Sequence, residues 1–264
     1  MKRYMLEVAY DGTNYCGWQV QPNGITIEEM LNKHLSELLK EDIVVIGASR
    51  TDSGVHALGN VAVFDSETRI PAEKIKFALN QRLPEDIRVQ TSREVAGDFH
   101  PRHCNSRKTY EYFIYNGKID MPLTRLYSHF CYYDLDLEKM RKAAEYIVGE
   151  HDFASFCSAG SQVKETVRTV YCLEVTKEGN MIKIHIEGSG FLYNMVRIIA
   201  GTLMQVGSGI YPPEQVKEMI EAKDRQKAGP TAVAKGLRLV KIAFNEKDLS
   251  VRTDNVDKNL EHER

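Results

Sequence analysis

The sequence predicts an α+β fold of two pseudo-symmetric halves, and three observations carry that expectation. Apolar periodicity over the first hundred residues switches in the order β-α-β-β-α-β, which is a split βαβ unit. The second half reads in a similar order. The chain has 264 residues, enough for one large or two modest domains at about 100–200 residues each, and its 42% hydrophobic content is ordinary for a globular protein.

Each element has a local reason. Residues 3–10 alternate as a strand and stop at the Asp11-Gly12 turn. Thr26-Ile27-Glu28-Glu29 has capping-box spacing, and Ile27, Met30, Leu31, Leu35 and Leu38 then recur at helical intervals. Residues 43–48 and 60–64 read as short buried strands. Pro71 opens a helix with Ile75, Ala78 and Leu79 on one face, and residues 86–95 return to strand. In the second half, residues 109–115 form a Tyr-rich strand and 136–148 a helix with Met140, Ala143, Ala144 and Ile147 inward. Residues 167–175 and 181–187 make a hairpin about Gly179-Asn180. A helix across 191–205, a shorter one after Pro213 and a strand at 237–244 complete the order. The expectation is two ferredoxin-like halves, with antiparallel or mixed sheets flanked by helices and a central catalytic cleft. Residues 1–104 form the first α+β domain and 105–246 the second. The stretch 247–264, with little apolar patterning, reads as a flexible tail.

Composition excludes several classes. The 35 Lys and Arg against 37 Asp and Glu leave a charge of −2, unlike a histone-like binder, although a local basic groove can sit on a neutral protein. Five scattered cysteines form no C-x-x-C pair, which argues against a disulfide framework and a thiolate zinc site. No apolar run reaches the roughly 20 residues that span a bilayer, and the N-terminus lacks a signal-peptide core, so a soluble, cytoplasmic protein is expected.

Three stretches can carry chemistry. Arg50-Thr51-Asp52-Ser53-Gly54-Val55-His56-Ala57 follows a buried strand, and a polar side chain at a strand end is a favoured catalytic position, though Asp-Ser-Gly also suits a plain turn. From Arg88 to Lys118 six Arg and Lys outnumber three acids. There Phe99, His100, Arg102, Arg107 and Lys108 precede Tyr110, Tyr112 and Tyr115, a mixture of cations for phosphates and rings for unpaired bases. A tyrosine-bearing strand also suits ordinary sheet packing. His100, His103 and Cys104 have no second pair to complete a metal site. In the third stretch, Gly188 to Gly201, Arg197 sits in an almost wholly apolar helix. It either snorkels out or meets an anion, because an unpaired buried charge is very costly. Neither a dinucleotide fingerprint nor a phosphate loop is present.

These residues resemble the TruA-type tRNA pseudouridine synthases. Arg50 to Ala57 is similar to that family's R-T-D-x-G-V-H-A signature. The Phe99-His100-x-Arg102 stretch leading to Arg107-x-x-Tyr110-x-Tyr112, and Gly188-x-Gly190-Phe191-Leu192-Tyr193-x-Met195-Val196-Arg197, resemble its further motifs. Supporting matches run from Tyr10-Asp11-Gly12-Thr13 through Gly149-x-His151-Asp152-Phe153 to Gly229-Pro230-Thr231-Ala232. Ser49 departs from a frequent Gly, and Val233-Ala234-Lys235 from a more usual Ala-Pro-containing run.

The resemblance implies an isomerase that converts uridines 38, 39 and 40 of the tRNA anticodon stem-loop to pseudouridine, without metal or organic cofactor, as a homodimer. It implies that Asp52 is the nucleophile, attacking either the uracil ring or the ribose carbon. By the same resemblance Tyr110 stacks on the flipped base, Arg50 assists flipping, and Arg197 is the ion-pair partner of Asp52. His56, Phe99, His100, Arg102, Arg107 and Lys108 are the expected substrate contacts. Two other readings stand beside it: a non-catalytic RNA-binding protein, and a metal-dependent nuclease needing a second acid, for which Asp11 and Asp152 are the candidates. Neither Asp52 nor Arg197 has an obvious partner near it in sequence.

Overall fold

The structure is a computed structural model that describes residues 1–160, 163 and 165–250. The first half runs β1 (Lys2–Tyr10), α1 (Ile27–Leu39), β2 (Ile46–Gly47), β3 (His56–Ser66), α2 (Ala72–Asn80) and β4 (Ile87–Val95). The second runs β5 (Ser106–Asn116), β6 (His129–Cys131), α3 (Leu137–Glu145), β7 (Gly149–Asp152), β8 (Val167–Glu178), β9 (Met181–Gly188), α4 (Met195–Gly207), α5 (Gln215–Ala222), β10 (Leu237–Phe244) and α6 (Glu246–Leu249). Among the described residues the strands join one ten-stranded sheet, ordered β4-β1-β3-β10-β5-β9-β8-β7, with β2 on β3 and β6 on β5.

Both halves repeat one arrangement. Counting strands within each half, and setting aside the short β6 and β7, β4-β1-β3-β2 and β10-β5-β9-β8 both have the order 4-1-3-2. The expected duplication is therefore present, but on one continuous sheet. β10 makes the join, pairing antiparallel with β5 along most of its length and parallel with β3 at Arg238–His56 and Leu239–Ala57. Farther along the same edge of β3, Ala62 and Val63 pair instead with β2.

Sequence periodicity explains the packing. Thr26 caps α1, its Oγ1 accepting the Glu29 N–H at 3.3 Å, and Ile27, Leu31 and Leu35 are fully buried beneath it. In β9, Ile182, Ile184 and Ile186 point inward while Lys183 and His185 face out. α3 packs on β8 and α4, and α4 packs on β5. No described helix is long and apolar enough to cross a membrane.

Three expectations change. The strand expected over 43–48 shrinks to Ile46–Gly47, because the Ile43 and Val45 amides donate to Ser36 Oγ (2.9 Å) and Asn32 Oδ1 (2.8 Å) of α1 rather than to a neighbouring strand. The helix expected from 191 begins at Met195, since Asn194 adopts the left-handed conformation (φ 61°) and breaks the preceding turn. α6 (Glu246–Leu249) runs into the stretch assigned to a tail, and its Leu249 is buried and accepts the Ala96 N–H at 3.3 Å; residues 251–264 lie outside the described residues.

α4 lies hard against the loop before β10. A Cβ on Gly201 would overlap the Pro230 carbonyl. Gly201→Ala should therefore cost about 1–3 kcal/mol, the usual range for overpacking, measured as a lower urea midpoint at unchanged slope.

Candidate active site

The loop between β2 and β3 is pinned from beneath. Trp18 N donates to Thr51 O (3.0 Å) and Val55 N to Asp52 O (3.1 Å), closing a turn at Gly54, whose φ is +76°. The Thr51 hydroxyl bonds the Tyr10 hydroxyl at 2.7 Å, and Asn60 Nδ2 donates to both Tyr10 OH (3.2 Å) and Ser49 O (3.0 Å). With Ser49 and Thr51 turned inward and buried, the Asp52 carboxylate emerges into a cleft of about 1230 Å³ between the halves.

The second half meets it there. Arg197 NH1 lies 3.2 Å from Asp52 Oδ2, joining two residues with side chains only about a fifth exposed (18% and 21%). Contrary to the expectation from sequence, Arg197 also has one partner near it in sequence, Asn194, and a more distant one, Ala232. Its Nε donates to Ala232 O (2.8 Å) and NH1 to Asn194 Oδ1 (2.8 Å). The left-handed turn at Asn194 thus aims a carboxamide at the guanidinium. Burial pushes the Asp52 carboxyl above its ordinary value of 3.8, and the Arg197 charge and hydrogen bond pull it part of the way back.

Tyr110 enters from β5. Its hydroxyl bonds Ser49 Oγ at 2.7 Å and its ring meets Phe191 edge-on at 5.3 Å. Burial holds the phenol up at about 12, so it stays protonated at neutral pH. Two residues earlier on the same strand face, Lys108 Nζ donates to Ala48 O at 3.0 Å. β5 therefore grips the start of the Asp52 loop at two points.

Among the residues singled out in sequence, Arg50, Asp52, Arg102, Lys108, Tyr110 and Arg197 line this cleft. Four others do not. His56 is buried on another side, 3.1 Å from Gly12 N, Asp11 Oδ1 and Leu126 O alike, beside a separate cavity of about 350 Å³. Phe99 is buried edge-on against Phe244, and His100 stacks on His103 with centroids 3.8 Å apart. Arg107 points the opposite way from Lys108, as neighbours in a strand must, and meets Glu187 at 3.3 Å over the Tyr171 ring. The sequence reading missed Arg168, Asn194, Phe191 and the Tyr10–Thr51–Asn60 support. Among the described lining residues Arg50, Arg102, Lys108, Arg168 and Arg197 face only two acids, Asp52 and Glu165. Asp11 and Asp152, the second acids a metal nuclease would need, lie elsewhere, Asp11 with Tyr127 at 2.6 Å and Asp152 with Lys223 at 2.9 Å.

A basic cleft between duplicated halves, with one carboxylate held by arginine beside a buried tyrosine, suits an enzyme that acts on a polyanion. The family profile described as tRNA pseudouridine synthase matches residues 7–103 and 143–245. The chain is 49% identical over 244 residues to a protein named tRNA pseudouridine synthase A from Thermoanaerobacter pseudethanolicus, covering 92% of this chain and all of that one. Identically named proteins from Ruminiclostridium cellulolyticum (48%) and Brevibacillus brevis (45%) align over the same shares. A chain in the crystal structure of a Cbf5-Nop10-Gar1 complex aligns with TM-score 0.37 and 15% identity, over 89% of this chain and 48% of that one, so the fold description rests on the topology given above. The chain belongs to the tRNA pseudouridine synthase family.

The partners of Arg197 set the energetics of the pair. Asp52→Asn leaves the guanidinium bonded to Asn194 and Ala232, so stability at pH 7 should hold or rise. Arg197→Met leaves Asp52 without its cation and should cost about 1–3 kcal/mol, less than for a fully enclosed pair because both groups are partly exposed. The sign with pH follows from a carboxyl raised in the folded state. Its favourable contribution is complete below the unfolded value and is lost as pH rises through the folded one. Urea titrations at pH 4 and pH 7 should therefore show a larger Arg197→Met deficit at pH 7.

Proposed function

We infer that this protein isomerises uridine to pseudouridine at positions 38, 39 and 40 of the tRNA anticodon stem-loop, with Asp52 as the nucleophile. The observation that carries this reading is the Asp52–Arg197 pair beside Tyr110 in a cleft with an excess of cations. The first α+β domain (1–104) supplies Asp52, and the second (105–246) supplies Tyr110 and Arg197. The homodimeric state and cytoplasmic location expected from the sequence belong to this same proposal.

The reaction conserves atoms and electrons. The Asp52 carboxylate attacks the uracil ring or the ribose carbon, and the bond from ribose to ring nitrogen breaks. The base turns within the cleft, and the ribose carbon bonds to a ring carbon. That carbon then loses its proton, the ring nitrogen gains one, and Asp52 is released. Arg197 orients the carboxylate and favours its ionised form. Tyr110, neutral at working pH and packed against Phe191, offers a ring face to the extruded base. Arg50, exposed at the cleft, fills space beside the displaced nucleotide.

Asp52→Asn and Asp52→Ala should abolish pseudouridine formation on unmodified tRNA transcripts, read by carbodiimide modification and primer extension, with tRNA binding retained. Conversion above a few per cent of wild type would remove Asp52 from the covalent role. The acid limb of the rate–pH profile should fall above 3.8, because burial raises Asp52, and move higher still in Arg197→Met but not in Arg197→Lys.

Binding should weaken with salt despite the net charge of −2. Each phosphate neutralised contributes about −0.7 to −0.9 to the log–log slope. Arg102→Gln should flatten that slope by roughly one such step, whereas Arg107→Gln, on the outer face, should leave it unchanged.

A further inference from the structure

On the inner face of the sheet, Lys108 of β5 pairs laterally with Gly188 of β9, and Gly188 pairs with Val170 of β8. At this row β9 ends, and the Phe191 ring lies over Gly188, but Ser189-Gly190 beyond it contribute no long side chain, which leaves a gap at Gly190. Lys108 and Arg168 flank that gap from strands about 10 Å apart. Both are on the inner face, since Arg168 lies two residues before Val170. Arg168 Nε is 3.7 Å from where a Gly190 side chain would start. α4 begins only at Met195, and this end of the inner face lines the cleft.

The two cations are unlike those on the outer face. There Arg107 pairs with Glu187, and Arg238 with Glu111. Among the described residues neither Lys108 nor Arg168 has a carboxylate partner. Lys108 Nζ donates to Ala48 O, and Arg168 NH1 donates to the Glu165 and Val167 carbonyls at 3.1 and 2.6 Å. Arg102, also lining the cleft, has no side-chain hydrogen bond or ion pair among the described residues, and Glu165 pairs with none of the three.

We propose that Lys108 and Arg168 form a seat for one phosphodiester, the linkage that flanks the reacting nucleotide. A phosphodiester shares one charge over two non-bridging oxygens, and a lysine and an arginine on opposite sides of a gap can take one oxygen each. Lys108 is two residues from Tyr110 on one strand face, about 7 Å, so a base stacked on Tyr110 has its own backbone at the seat. Burial, and then the Arg168 and Arg102 charges, push the Lys108 ammonium down to about 8, a strain that a bound anion relieves. The assignment rests on the RNA substrate inferred above.

Stem-loop RNAs carrying one neutral methylphosphonate, at either linkage flanking the target uridine or in the distal stem, test it. Dissociation constants are measured for wild type, Lys108→Met and Arg168→Met. Neutralising one flanking linkage should weaken wild-type binding about tenfold, and each substitution should weaken binding of the unmodified RNA about tenfold. Combining them should add less than about twofold beyond either change alone. Strict additivity at both flanking linkages, or coupling only to the distal stem, overturns the seat. If either Met variant melts early, Lys108→Gln and Arg168→Gln replace it in the same cycle, and Lys108→Arg should restore wild-type coupling. Conversion of the unmodified RNA by wild type is scored separately. Coupling without conversion sinks the pseudouridine reading and keeps the seat, whereas conversion without coupling sinks the seat alone.

Discussion

The ladder of β10 against β3 on one side and β5 on the other is the constraint on which the cleft depends. The Asp52 loop leads into β3, and Tyr110 lies on β5. Their separation is therefore the width of β10 and not the play of a linker. Backbone hydrogen bonds hold such a spacing far more stiffly than an interface between separate domains, whose default is relative motion. The loop before β10 belongs to the same device, because Ala232 takes its amide bond to Arg197 O and offers its carbonyl to Arg197 Nε.

Within that frame, the cost of the site is electrostatic. Asp52 is withdrawn from water enough for burial to outweigh its arginine. Its hydroxyl-bearing neighbours Ser49, Thr51 and Ser53 serve Tyr110, Tyr10 and the Tyr15 carbonyl, not the carboxylate. A carboxylate with one cation and few other donors is destabilised in its ground state, the condition that the covalent role proposed for Asp52 calls for. Arg197 is divided among three acceptors, so it is an anchored part of the scaffold that also touches Asp52. The site thus spends stability on Asp52 while α4 and its loop keep Arg197 in place.

Local chemistry made much of this legible beforehand. The Thr26 cap, the Gly179-Asn180 hairpin and the last strand were readable because their causes lie within a few residues. The extent of β2 was not, since its neighbours' amides are satisfied by α1, and the start of α4 was not, since it turns on the backbone of Asn194. Asp52 and Arg197 were identifiable by charge in an apolar setting and by family resemblance, but the roles of Asn194 and Ala232 required the fold. Strand parity could have separated Lys108 from Arg107 once Tyr110 was taken as inward. His56 shows the opposite hazard: four residues from Asp52 in sequence, it lines a different cavity because the chain turns between Asp52 and Val55 before β3 begins. Arg168 carried no local signal, lying far along the chain from Lys108, which it joins in space.

The placement of β10 also bears on how the chain is made. The first half has all four strands of its own order by Val95, yet His56 and Ala57 have no ladder partners on that edge until Arg238 and Leu239 emerge from the ribosome. Contacts so distant in sequence are slow to form. For most of synthesis β3 therefore presents an open edge of the kind that recruits other chains. The edge of β3 that later borders the cleft is an open template until β10 pairs with it.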